Sequence, residues 1–122
     1  MNILILALGG ALGTVLRYFS VHFISKYYGV AFPLGTLAVN LSGSLFIGFL
    51  WGLFEIHFVS HHLRLFLIIG LLGGFTTFSS FSMENLNLLR EGAIKLAVLN
   101  ILVCNIGGIL LAYLGFLFAR AL

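Results

Sequence analysis

One stretch of this sequence, GGFTTFSSFS over residues 73–82, joins small, hydroxylated and aromatic side chains inside an otherwise apolar run. Two adjacent glycines followed by two β-branched threonines weaken an α-helix locally. At membrane depth, non-helical backbone is tolerated only where protein or a water-filled cavity satisfies its free polar groups. The stretch therefore predicts a helix that is broken in mid-membrane, with a site beside the break.

Two interpretations of this break have equal weight from spacing alone. Backbone carbonyls freed at a broken helix can bind a hard cation, as they do in transporters. Alternatively, Gly73 and Gly74 provide close helix packing, and the hydroxyl groups bond back to the preceding turn of the helix. The residues themselves do not separate a cation site from ordinary packing.

The aromatic and hydroxyl residues after the break suggest a path for a small anion. Phe78 and Phe81 are three residues apart and share a helix face, and Ser79 and Ser82 form a neighbouring face. The edge of an aromatic ring is positive, so paired ring edges beside hydroxyl donors would favour an anion. The alternative is that both rings belong to the apolar core, as most of the 13 phenylalanines must.

Two further polar residues interrupt apolar stretches elsewhere. Arg17 lies in the first stretch, where a buried arginine is costly and usually faces a partner or an ion path; the alternative is that it reaches the lipid headgroups. Asn40 lies in the second stretch and can donate two hydrogen bonds to an anion or tie two helices together.

The elements that must position these residues follow from composition. Hydrophobic residues make up 61% of the 122 residues and charged residues only 7%, which places the chain in lipid. A membrane-spanning helix needs about 20 residues. We predict an all-α membrane protein, a single domain over residues 1–122, with four spans at Asn2–Ser25, Leu34–Ile56, Arg64–Glu91 and Ala93–Ala121. Span 3 carries the break.

Several other functions find little support in the sequence. The net charge of +3 is spread along the chain without a basic cluster, so no nucleic-acid partner is expected. No nucleophile and base pair or phosphate-binding loop is present, so the chain is not expected to be an enzyme. A metal site is disfavoured at the loop histidines, since no thiolate or carboxylate cluster joins His57, His61 and His62.

The remaining ionisable residues are expected to have plain surroundings. The three acidic residues lie near span ends, where exposure to solvent is expected for Glu55, Glu84 and Glu91. The single cysteine, Cys104, lies in span 4 and is expected to be a small buried thiol. Gly92 leaves a very short loop, so spans 3 and 4 should form an antiparallel hairpin.

Three motifs in order give the chain a wider resemblance. They are GGALG at residues 9–13 followed by Arg17-Tyr18, GTLAVNLSG at residues 35–43, and GGFTTFSSF at residues 73–81. Together they resemble the Fluc/CrcB family of fluoride channels. The resemblance covers essentially the whole chain, and its weakest part is span 4.

The resemblance implies an antiparallel, dual-topology homodimer in the bacterial plasma or inner membrane. It implies two fluoride pores, passive export of cytoplasmic fluoride that reduces toxicity, and a structural Na⁺ held by the carbonyls of Gly73 and Thr76. The implied pore residues are Phe78, Phe81, Ser79, Ser82, Asn40, Thr36 and Arg17. In span 4, Cys104 flanked by two asparagines stands where the family often has a pore serine, so the lining residue there is open.

Two other functions remain as alternatives. A small dual-topology multidrug exporter has similar length but would want a carboxylate deep in span 1, and none lies between Met1 and Ser25. A non-transporting membrane assembly subunit would use its glycine rows only for packing, which leaves the clustered hydroxyl groups unexplained. The fluoride channel accounts for more of the sequence than either.

Overall fold

The computed structural model describes the whole chain from Met1 to Leu122, and it contains helices and no strands. We number five helices. They are α1 (Asn2–Tyr28), α2 (Leu34–Ile56), α3 (residues 61–75), α4 (Phe78–Arg90) and α5 (Ile94–Arg120). Helices α3 and α4 together form one stretch, His61–Arg90, so four stretches are long and apolar enough to cross a membrane. The chain is a multi-pass membrane protein with all-helical architecture.

The observed bounds lie close to the predicted spans. Helix α2 has the predicted bounds, whereas α1 extends to Tyr28 and the third stretch begins at His61. The short loop around Gly92 (φ 78°) is also observed. There the N–H groups of Ala93 and Gly92 bond the carbonyls of Leu88 and Leu89 at 2.8 and 3.1 Å, a Schellman turn that needs a residue with positive φ.

Helices α1 and α3 pack backbone against backbone through glycines. A Cβ atom added at Gly9 would lie 2.7 Å from the carbonyl oxygen of Phe66, and one at Gly74 would lie 2.6 Å from that of Gly10. Distances this short leave no room for any side chain. The glycine row of α1 is therefore a helix contact, as small-residue rows in membranes often are.

Helices α2 and α5 form a second glycine contact. A Cβ atom at Gly48 would collide with the backbone carbonyl of Ala112, and one at Gly52 would lie 2.8 Å from that of Phe116. A Cβ atom at Gly115 would meet the carbonyl of Leu45 in the same way. We call this contact the glycine seam, and it fixes the position of α5 against α2.

Two segments of wider, π-helical turns were not predicted from the sequence. One is Leu65–Leu72 in α3, and the other is Val103–Gly107 in α5. π-Helical turns are rare and often occur at functional sites. Both segments contribute to one cavity, since Leu72 and Cys104 line it together.

Candidate functional site

The helical backbone is interrupted between α3 and α4, inside the hydroxyl-rich stretch. Thr76 (φ −83°, ψ 158°) and Thr77 (φ −150°, ψ 122°) both have extended backbone. The Thr77 hydroxyl oxygen accepts the Ser80 N–H at 3.1 Å and so caps the first turn of α4. Threonine suits both positions, because β-branched residues favour extended backbone and the hydroxyl group can cap a helix.

Asn40 of α2 bonds the backbone of the interruption at two points. Its Nδ2 donates to the carbonyl oxygen of Thr77 at 2.9 Å, and its Oδ1 accepts the Thr77 N–H at 2.8 Å. These bonds satisfy polar groups that lose their helical partners, which lipid could not do. The Nδ2 atom also lies 3.9 Å from Sγ of Cys104, a weak contact.

Arg17 of α1 bonds the interruption from the opposite side. Its Nε donates to the carbonyl oxygen of Gly74 at 3.1 Å. A continuing helix would have brought the Phe78 N–H to this oxygen. Arg17 therefore faces a partner within the protein, and its side chain is half-buried.

Besides that of Gly74, two carbonyls at the interruption have lost their usual helical donors. The oxygen of Gly73 would accept from Thr77 in a regular helix, but that N–H bonds Asn40. The oxygen of Thr76 would accept from Ser80, but that N–H bonds the Thr77 hydroxyl. Carbonyl oxygens are the ligands that hard cations prefer, so the donor set here fits an ion such as Na⁺.

A cavity of about 360 Å³ opens beside these carbonyls. Its lining includes Gly73, Thr76, Thr77, Phe78, Asn40 and Cys104. The cavity brings together residues from three separate stretches of the chain. Of the predicted polar site residues, Asn40 and Thr76 therefore share this cavity, and the others lie outside it.

A second cavity, of about 420 Å³, lies on the α1 side and contains a residue that sequence reasoning missed. Arg17, Thr36 and Glu84 line it together. The expectation that Glu84 is exposed was wrong, since it is half-buried, accepts a bond of 2.7 Å from the Thr36 hydroxyl, and has one buried oxygen without a partner. Glu84 lies against Thr36 of α2 and faces a cavity that α1 residues also line, which a position near a span end does not reveal.

The two phenylalanines after the interruption differ in burial. Their ring centroids are 5.7 Å apart and the rings are tilted by 42°. Phe78 is 76% exposed, whereas Phe81 is only 7% exposed. Ser79 and Ser82 are exposed beside Phe78 on the outer surface of the chain. Within one copy, therefore, the proposed aromatic and hydroxyl residues do not enclose a path.

Of the polar residues in α5, only Cys104 lines the first cavity. Asn100 is buried and donates to Asn85 at 2.9 Å, and Asn105 bonds back to the carbonyl of Ile101 at 2.7 Å. The expectation of a buried thiol was wrong, because Cys104 is partly exposed at the cavity wall. The sequence left this choice open, since helix phase depends on the π-helical turn that contains Cys104.

Only His57 of the three histidines predicted in a loop lies between helices, whereas His61 and His62 begin α3. The rings of His61 and His62 are 6.1 Å apart, and no group of three or more candidate metal-binding side chains occurs in the chain.

Known proteins similar to this chain agree on one family. Residues 4–116 match the family described as CrcB-like protein, Camphor Resistance (CrcB). A protein of Parabacteroides distasonis named fluoride-specific ion channel FluC is 40% identical over 98% of this chain and 94% of its own length. Relatives of the same name in Aquifex aeolicus and Magnetococcus marinus are 44% and 46% identical, over 95% and 98% of this chain and 94% and 98% of their own lengths.

These relatives are ion channels by name, and no family of enzymes is indicated. Because the match extends over nearly all of both sequences, it includes every helix and the interruption between α3 and α4. This chain belongs to the CrcB-like protein family.

Proposed function

We propose that this chain is a fluoride-specific ion channel that lets cytoplasmic fluoride leave the cell passively. The observation that carries the proposal is the near-complete similarity to relatives that bear this name. The physical logic is simple. HF is a weak acid that crosses membranes as a neutral molecule and ionises in a less acidic cytoplasm, where the anion is trapped. A passive pore then releases fluoride and reduces its toxicity.

The proposed working unit is an antiparallel homodimer with two pores. The exposed surface of one copy supports a partner, because Phe78, Ser79 and Ser82 lie together on its outside. Hydroxyl groups facing lipid would gain hydrogen-bond partners if a second copy covered them. Phe78, Phe81, Ser79, Ser82, Asn40, Thr36 and Arg17 are the proposed pore residues.

Charge distribution permits the two copies to insert in opposite orientations. Lys and Arg near span ends normally set orientation by their excess on the cytoplasmic side. If the N-terminus is inside, Arg64 and Arg120 flank the inner side, and Lys26, Arg90 and Lys95 flank the outer side. A bias of two against three is weak, which supports dual topology in the bacterial inner membrane.

The carbonyls of Gly73 and Thr76 in each copy are the proposed ligands of a structural Na⁺. Their usual helical donors bond Asn40 and Thr77 instead, which favours another partner for both oxygens. A bound Na⁺ would supply a fixed positive charge near the anion path. Asn40 would orient the Thr77 backbone, and Arg17 would add positive charge to the second cavity.

Fluoride efflux from liposomes tests the function. Vesicles loaded with KF and containing only this protein should release fluoride when valinomycin removes the voltage constraint. Protein-free vesicles are the control. Release of chloride at an equal rate would reject fluoride specificity, and release of neither ion would reject the channel.

Labelling of an added terminal cysteine tests the topology. In a Cys104→Ser background, a membrane-impermeant reagent should label about half of the copies from each side of the membrane. Labelling from one side alone would exclude the antiparallel dimer while leaving fluoride conduction intact. The two experiments therefore fail independently.

A further inference from the structure

Arg17 belongs to two parts of the proposed channel. Its Nε holds the carbonyl of Gly74, and its side chain also lines the second cavity. We propose that Arg17 is a positioning residue for the cation site, and that its Nε–H keeps the Gly73–Gly74 backbone in the conformation that binds Na⁺. This inference rests on the sodium site of the proposed function.

The backbone at this point needs an external restraint. Gly73 and Gly74 belong to the last helical turn of α3, but two successive glycines have wide conformational freedom, so this turn is held less firmly than one with side chains. The peptide group that carries the Gly74 carbonyl comes directly after the one that carries the Gly73 carbonyl, the proposed ligand. Rotation about the backbone bonds of Gly74 therefore changes the orientation of one of these peptide groups relative to the other. A hydrogen bond to the Gly74 oxygen limits this rotation.

Helix α1 holds the donor of this bond in place. A Cβ atom at Gly74 would lie 3.2 Å from the backbone nitrogen of Thr14, and one at Gly13 would lie 2.9 Å from that of Phe75. Backbones packed this closely cannot slide past each other without collisions. Arg17 lies one turn after Gly13, so the approach of its side chain to Gly74 is set by the same contact.

The residue that follows each proposed ligand is thus held by a side chain. Asn40 holds Thr77 from α2, and Arg17 holds Gly74 from α1. Residues that orient metal ligands without touching the metal commonly change its affinity 10- to 100-fold when replaced. The Nε–H of Arg17 is in the position of such a residue.

Replacing Arg17 by glutamine or by methionine distinguishes the effect of the hydrogen bond from the effect of the charge. Both are uncharged and similar in length, and the side-chain nitrogen of glutamine occupies the position of the arginine Nε. Arg17→Gln therefore retains a donor toward Gly74, whereas Arg17→Met does not. Arg17→Leu serves as a second donor-free variant if the methionine protein does not yield a dimer.

Arg64→Gln is the matched control, because Arg64 donates to the carbonyl of Phe54 at 2.8 Å, away from the interruption.

The measurement is the Na⁺ concentration that half-maximally protects the purified, sodium-depleted dimer against heat, with choline balancing the ionic strength. Arg17→Gln and Arg64→Gln should stay within about three-fold of the parent, and Arg17→Met should need about 10-fold more Na⁺. Equal values for the glutamine and methionine variants would overturn the role of the Nε–H. If the thermal stability of the parent protein does not change with Na⁺ concentration, the sodium site itself is overturned, whatever the results for the variants.

Discussion

The glycine seam between α2 and α5 differs from the interruption between α3 and α4 in what stabilises it and in which residues do so. In the seam, Gly48, Gly52 and Gly115 bring two backbones together, and every helix keeps its own hydrogen bonds. At the interruption, the backbone gives up helical bonds, and side chains of Asn40 and Arg17 replace them.

This difference predicts two kinds of sensitivity. The seam depends on the volume of its residues, since any added atom meets a backbone carbonyl. The interruption depends on hydrogen-bonding groups, since each lost partner leaves a polar backbone group unsatisfied. Changes of volume should therefore be most harmful at the seam, and isosteric polar changes should be harmful only at the interruption.

The largest effect is expected from Gly48→Leu. Its side chain would have to occupy the space of the Ala112 backbone, so α2 and α5 would separate along the seam. Overpacking of this kind costs about 3 kcal/mol or more. Size-exclusion chromatography in detergent should show little folded protein. Gly10→Ala is the control, because a Cβ atom there has no neighbour closer than 4.0 Å and should leave the folded yield unchanged. Normal yield of the leucine variant would show that the seam can open.

A smaller but clear loss is expected from Asn40→Ala. It removes partners from both the N–H and the carbonyl of Thr77, and each such loss costs about 1 kcal/mol where the replaced side chain is only half-buried. Asn40→Asp keeps the acceptor but sets a carboxyl oxygen against the carbonyl oxygen of Thr77, so it should lose at least as much stability as Asn40→Ala. Thermal unfolding of the purified protein measures the series. Asn105→Ala is the control, since this exposed amide bonds only a carbonyl of its own helix. An equal loss of stability in the control would show that the bonds of Asn40 to Thr77 are not specially important.

Substitutions of the two phenylalanines should affect different properties: stability for Phe81 and fluoride conduction for Phe78. Phe81→Ile should lower the free energy of unfolding by about 1 kcal/mol, because Phe81 is buried. Phe78→Ile should change it by less than about 0.5 kcal/mol, because Phe78 is exposed in one copy. Fluoride efflux should nevertheless fall at least ten-fold in the Phe78 variant if its ring faces the proposed pore. Parental efflux from that variant would remove Phe78 from the pore.

The smallest effect is expected at the solvent-exposed end of the seam, where α5 ends. Arg120 and Glu55 form an ion pair of 2.8 Å, but their side chains are 48% and 45% exposed. Solvent screens such a pair, so Glu55→Gln should change stability by less than about 0.5 kcal/mol. Thermal unfolding at low and high salt checks this result. A loss comparable with that of Asn40→Ala would mean that charge, in addition to volume, holds the seam.

The sequence alone determined the spans and the position of the candidate site. Four apolar stretches and the turn at Gly92 are local features, because a span needs a sufficient number of consecutive apolar residues and a tight turn with positive φ favours glycine. The interruption at Thr76 and Thr77 lies within the stretch that composition marks as anomalous. The three family motifs are equally local, so family membership could be inferred before any helix was placed.

Tertiary structure decided which polar groups meet. Asn40 and Thr77 are 37 positions apart, and Arg17 and Gly74 are 57 apart, so no local pattern links them. The partial burial of Glu84 depends on its contact with Thr36 of α2, 48 positions away, and the exposure of Cys104 depends on a wider turn in α5. In each case the outcome is set by how separate helices pack and by the need to satisfy backbone groups away from water, which only the folded arrangement determines.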